Sequence, residues 1–274
     1  MPAATASSSV FAANRSAGRI ALTVQAQGGV TRRQKVYEDG PLRVRFPNAT
    51  GAALEAVIVN TAGGIAGGDR HGLDIAAGQG ADLVVTTAAA EKVYRALDPE
   101  AEIAVKLEVG AGARLAWLPQ ETILFDRARL SRRIEVDLAD DATLLIAETV
   151  VFGRSAMGEA VRQGAFTDHW RVRRGGKLLF AETLRLDGAI AQKLAEPAVA
   201  GGGVAIATVL AVPGDDNQAE RVRAIGDFAG EVGISAWNGL AVARLCAKDG
   251  ASLRRDLVAV LGALGAPLPR LWLN

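Results

Sequence analysis

The chain has one cysteine, Cys246, and two histidines, His71 and His169, in 274 residues. A single thiol excludes an internal disulfide and suits a reducing cytosol, where we expect the protein to act. With so few imidazole and thiolate groups, all distant in sequence, a tight dedicated site for a divalent transition metal is not expected. Neither histidine lies in a Gly-x-Ser-x-Gly elbow, so no nucleophilic triad is in view. No apolar run reaches the length of a membrane span. Residues 1–17 are small and polar, without a basic start or an apolar stretch of signal length. They read as a flexible tail ahead of a single domain over 18–274. Charge of one sign is also missing: 31 basic residues face 30 acidic ones, a net of +1. No global field draws the chain to nucleic acid or to an anionic membrane.

Glycine is present in pairs. An apolar run from Ala56 to Val59 leads into Asn60-Thr61-Ala62-Gly63-Gly64, then Ile65-Ala66-Gly67-Gly68-Asp69-Arg70. Two pairs so close together mark backbone at positive φ or in close approach to a neighbour, as in a hairpin or bulge. A phosphate-binding loop would need a Lys-Ser/Thr after the glycines, and a dinucleotide fingerprint a different glycine spacing. Both patterns fail here.

Strand alternation dominates the first two hundred residues. Ile20, Leu22 and Val24 alternate before a Gly28-Gly29 turn, and Leu42, Val44 and Phe46 alternate after Asp39-Gly40-Pro41. The Ala88–Tyr94 segment reads as one helical turn or a loop. Phe166–Val172 and Leu178–Leu186 form a hairpin around a basic turn. An internal repeat is visible at Ala81, Ala113 and Ala142. Each alanine follows an apolar residue by six positions (Ile75, Leu107, Val136) and precedes a leucine by two (Leu83, Leu115, Leu144). The near-constant period favours stacked strand–turn–strand units, which cannot bury their faces alone, over three ordinary hairpins. Late in the chain, Val222, Ile225, Ala229 and Val232 have helical spacing. A strand pair follows around Asn238-Gly239. A second helix starts near Ser252, with Leu253, Leu257, Val260, Leu261 and Leu264 on one face. The fold class is therefore mainly β, solenoid-like, with about two helices near the C-terminus.

Several carboxylates sit in apolar contexts: Asp69, Glu121, Asp126, Glu148, Glu159, Glu182 and Asp187. Buried acids are costly unless paired or coordinated. Salt bridges to an arginine such as Arg70, Arg95 or Arg154 are one reading. The other is an oxygen-lined path that holds a cation weakly enough to release it, with Asp69, Glu148 and Glu182 as its candidates. A β-helical enzyme using paired carboxylates on a carbohydrate is an alternative class, but the repeats share no acid at a common position.

The double-glycine stretch, followed by Thr86-Thr87 and Lys92-Val93-Tyr94-Arg95, resembles the signature of the urease accessory protein family UreD. Further matches follow in order: Trp117 to Asp126, Phe152-Gly153-Arg154, Met157-Gly158-Glu159 and Pro269-Arg270-Leu271-Trp272. Ala96 departs from the serine expected after Tyr-Arg, as does the Leu-Asn end. The resemblance implies a mainly β, non-catalytic scaffold that binds apo-urease subunits and recruits UreF. Through UreF the GTPase UreG joins, and nickel and carbon dioxide reach the buried urease site. On this reading no cofactor is tightly bound, and nickel passes in transit along Asp69, Glu148 and Glu182. Gly63, Gly64, Gly67, Gly68, Asp69, Arg70, Glu121, Arg154 and Trp272 would form the structural or interaction motif. The C-terminal helices and Trp272 either contact a partner or pack on the sheet.

Overall fold

The computed structural model describes residues 15–47, 53–96, 99–154 and 157–272. Strands make up 54% of it, beside three helices. Strands β1 (Ala17–Gln27) and β2 (Val30–Asp39) form a hairpin, and Gly28 and Gly29 both take positive φ in its turn. Short β3 (Leu42–Arg45) and β4 (Leu54–Asn60) follow. From there the chain winds in circuits. It passes from β5 (Arg70–Ala77) to β6 (Asp82–Thr87) and returns through the three-residue β7 (Glu91–Val93). It repeats this from β8 (Ala101–Val109) to β9 (Arg114–Trp117), returning through β10 (Thr122–Leu124), and then from β11 (Arg129–Leu138) to β12 (Thr143–Phe152). A hairpin of β13 (Gly164–Arg174) and β14 (Lys177–Gly188), helix α1 (Ile190–Ala195), β15 (Ala205–Val212) and α2 (Asp216–Arg223) come next. The β16 (Glu231–Trp237) and β17 (Leu240–Ala247) hairpin and α3 (Gly250–Ala263) complete the order.

The strands form two facing sheets. Sheet A runs β14-β13-β11-β8-β5-β1-β2, and the main path of sheet B runs β16-β17-β15-β12-β9-β6-β4-β3. Within each, the three repeat units lie parallel and in register. Ile75, Leu107 and Val136 stand side by side in sheet A, as Leu83, Leu115 and Leu144 do in sheet B. The repeat is thus a stack of solenoid rungs, and its turns cross between sheets instead of closing hairpins. Each crossing takes four residues, 78–81, 110–113 and 139–142. In each, the alanine amide donates to the carbonyl three residues back, at 3.0, 3.0 and 3.2 Å. Ala81, Ala113 and Ala142 are buried, so a larger side chain has no room at the corner.

Three local expectations change. Residues 88–94 contain strand β7, which pairs parallel with β10, and no helical turn. The helix read from Val222 to Val232 ends at Arg223, and Val232 lies in β16. Gly226 turns the chain at positive φ, and a Cβ on Gly230 would lie 2.3 Å from the Cys246 carbonyl, so backbone geometry overrides the spacing. Helix α1 is additional. At six residues it buries only Ile190 and Leu194, too little to leave a periodic signal. Of the expected tail, residues 1–14 lie outside the described residues, while Ala17 already belongs to β1.

Helix α3 follows the expected pattern. Asp249 caps it by accepting the Ser252 amide at 2.8 Å, and Leu253, Leu257, Val260 and Leu261 pack on the outer face of sheet B. Among the described residues, no helix is long and apolar enough to cross a membrane. Ala113→Leu should overpack the central corner and lower stability by about 1–3 kcal/mol in denaturant titration. An unchanged midpoint would mean that the corner has slack.

Candidate functional site

Strand β11 points Leu130, Arg132, Ile134, Val136 and Leu138 inward, and Arg132 is the one polar member of that series. Strand β13 breaks its own inward series with Asp168, and β12 does so with Glu148. His71, Ile103, Arg132 and Asp168 are successive cross-strand neighbours in sheet A, so these substitutions fall in a single layer. Arg132 spans the two sheets from that layer. Its Nε and Nη2 donate to Asp168 Oδ1 and Oδ2 at 3.0 and 2.6 Å. Its Nη1 donates to Glu148 Oε2, and Trp117 Nε1 donates to Glu148 Oε1 at 2.7 Å.

Burial opposes the Arg132 charge, but the Asp168 and Glu148 carboxylates outweigh it and hold the guanidinium above its ordinary pKa. Burial pushes Glu148 up, against the pull of Arg132. A small cavity of about 60 Å³ adjoins this layer, lined by His71, Thr87, Glu91, Gln120, Trp117 and Glu148 among others. His71 Nε2 has no hydrogen-bond partner there. Burial lowers the His71 pKa, with Asp69 opposing. Burial raises Glu91 to about 7, although Asn60 hydrogen-bonds its carboxylate.

The three acids of the proposed route lie in three different settings. Asp69 is a turn residue: Oδ1 accepts the Ser16 amide and Oδ2 the Ala66 amide, both at 2.8 Å. Glu148 is in the core layer. Glu182 projects inward from β14 at the edge of the sandwich and binds Arg244 of β17 through both oxygens, at 2.6 and 2.7 Å. Among the described residues, no group of three or more His, Cys, Asp or Glu is gathered to hold a metal. Glu148 does pair with an arginine, but with Arg132 and none of the three expected: Arg70 pairs with Glu102 and Arg154 with Glu159. Arg132 and Asp168 went unread in the sequence, although a charged residue in an apolar alternation was their signal. Cys246 is half-buried.

Several residues of the quoted motifs lie in close packing. A Cβ on Gly64 would lie 2.4 Å from the Tyr94 ring, and one on Gly67 would lie 2.5 Å from Ala96 Cβ. Gly63 and Gly68 take positive φ. Arg154 stacks over the Phe125 ring at 4.2 Å. Arg254 of α3 joins the Trp117–Asp126 motif to the closing one, bonding Glu121 at 2.9 Å and lying over the Trp272 ring at 4.9 Å. Trp272 is buried and donates to the Leu118 carbonyl at 3.1 Å, so its place is packing on sheet B.

A family model described as UreD urease accessory protein matches residues 16–273. The chain belongs to the UreD family. It is 61% identical over 268 residues to the urease accessory protein UreD of Rhodopseudomonas palustris, covering 97% of this chain and 94% of that one. It is 60% identical to the UreD of Bradyrhizobium diazoefficiens, covering 97% of each. UreD-family membership thus spans the whole double sheet, including the polar layer and the helices on sheet B.

Two predictions follow from the charges in this layer. Arg132→Met strands two buried carboxylates and should cost on the order of 3–5 kcal/mol. Glu148→Gln leaves Arg132 with Asp168 and should cost clearly less, as paired thermal melts will show. For Glu91, the folded pKa lies above the unfolded one. Its neutral form therefore favours the fold below about pH 4.5, and this contribution is lost as pH rises towards about 7. Glu91→Gln should gain stability relative to wild type between pH 5 and pH 8, by up to about 3 kcal/mol. Parallel pH profiles would show that Glu91 is ionised throughout.

Proposed function

We propose that this chain is a non-catalytic scaffold for urease maturation in the cytoplasm. It binds apo-urease, recruits UreF and, through it, the GTPase UreG. It also offers nickel a polar interior passage during GTP-dependent insertion into the urease active site. The observation that carries this reading is the full-length UreD match, on a fold whose core contains a polar layer beside a cavity. Nickel is cargo in this scheme. A cargo ion must leave, so single carboxylates and water suit it better than a closed set of imidazoles and thiolates. The buried Glu148 and Asp168 are bridged by Arg132, an arrangement unlike two acids facing a substrate cleft.

The experiment is maturation of urease with Asp69→Asn, Glu148→Gln and Glu182→Gln variants. Nickel content and urease activity are read beside each variant's melting temperature and its retention on the complex. Glu182→Gln should fold normally, because Arg244 is left at a solvent-accessible edge. Asp69→Asn replaces one of the two side-chain oxygens that accept backbone amides and should cost about 1–3 kcal/mol in its turn. Glu148→Gln is decisive. Low nickel in urease, with retained complex and a near-normal melt, supports a route past Glu148. Full activation by all three variants rules the route out and leaves the scaffold role standing.

A further inference from the structure

The two ends of the solenoid are built differently. At one end the sheets are joined by the four-residue corners. At the other, the chain returns through segments 61–69, 88–100, 118–128 and 153–163, of nine to thirteen residues. In a stacked fold, insertions of this kind collect on one side of the repeat, and that side is often the binding side.

These long segments are fastened to one another in series. Ile65 donates to the Lys92 carbonyl at 2.7 Å, and Tyr94 donates back to Ile65 at 2.8 Å. Phe125 donates to Val93 at 3.0 Å and Ala96 to Arg127 at 2.9 Å. Gly153 donates to Leu124 and Arg127 to Gln163, both at 2.8 Å. Asp126 Oδ1 accepts the Arg162 amide at 2.7 Å. The glycines enforce this order, since a Cβ on Gly153 would lie 2.2 Å from the Glu159 carbonyl. A surface already ordered loses little entropy when a partner binds.

Its outward chemistry is one-sided. Lys92, Arg95, Arg127 and Arg162 are exposed there. Among the described residues, most acids of the same segments are turned to internal tasks. Asp69 and Asp126 accept backbone amides, Glu91 lines the cavity, Glu121 pairs with Arg254 and Glu159 with Arg154. Glu100 shares a groove with Arg129. Two large apolar side chains stand among the cations: Tyr94 is 38% exposed and Met157 is 73% exposed. Exposed tyrosine, arginine and methionine are the usual anchors of protein interfaces.

We propose that this long-segment end is a docking face for a protein partner whose matching surface carries carboxylates around an apolar socket for Tyr94 and Met157. A second copy of the same basic end would meet it with like charge, so the occupant is a different chain. The inference rests on the maturation reading and names the surface that reading leaves unassigned.

The test uses the full chain in co-purification with apo-urease and, separately, with UreF. The triple variant Lys92→Glu/Arg127→Glu/Arg162→Glu should weaken retention of at least one of them by about tenfold or more. Retention by wild type should also fall with added salt. Met157→Ala, at a site too exposed to disturb folding, should weaken the same partner. Lys35→Glu and Lys177→Glu lie off this end and should leave retention unchanged. Wild-type retention of both partners by the triple variant, or equal losses in the two control variants, overturns the docking face while the maturation reading stands. A wild-type chain that retains neither partner overturns both.

Discussion

Parallel pairing is the constraint on which the fold depends. A parallel neighbour cannot be reached by a tight turn, so the chain must leave the sheet and come back before it can pair with its own previous rung. Here it leaves by a four-residue corner, runs a strand in the facing sheet and returns by a long segment. One circuit therefore lays down one strand in each sheet. The inward faces of both sheets meet in apolar clusters that no circuit could bury alone. The corner alanines follow from this. They sit where the chain bends over the end of that core, and their buried methyl groups set how closely the rungs can stack.

Against that apolar requirement, the layer of His71, Arg132, Asp168, Glu148 and Trp117 is a concession. A buried ion pair is weak evidence of stability, because desolvation offsets much of its attraction. Its geometric consequence is firmer. Arg132 reaches Asp168 along its own sheet and Glu148 across the sandwich, so one guanidinium ties three strands in fixed register. A slip of one residue would turn every inward side chain of β11 outward and break both pairs at once.

How much of this was legible depends on the range of the signal. The repeat announces itself by its period, and the Gly28-Gly29 and Asn238-Gly239 turns, the β13–β14 hairpin and α3 by contiguous patterns, and the structure has them where the sequence places them. The 222–232 spacing misled because periodicity alone cannot register that Gly230 must lie against the Cys246 backbone. Strand β7 was hidden because three residues carry no alternation, and only pairing with β10 makes them a strand. Arg132 and Asp168 could have been found by asking which inward position of each strand is polar. Which arginine meets Glu148 could not, because the contact crosses between sheets. Trp272 belongs with these: a tryptophan near a chain end is equally readable as anchor or as core, and only the neighbouring Leu118 carbonyl and Arg254 decide it.

The glycine pairs join the fold to its use. In the sequence they read as backbone at positive φ or in close approach to a neighbour, and Gly63 and Gly68 take positive φ. Gly64 and Gly67 are absent side chains: what matters is the space each leaves for Tyr94 and for Ala96 on the next segment. The same space fits the alanine at 96, where the Cβ is already in close approach and each further atom would have to find room. Segments of this length are ordinarily the mobile part of a protein, and order in them needs a cause. Here the cause is continuation of the parallel stack beyond the strands, rung by rung, through backbone bonds that only small residues permit. The described residues of the long segments are thereby held together without regular secondary structure over most of their length. Under the scaffold role proposed above, a fixed binding surface matters more than a catalytic group.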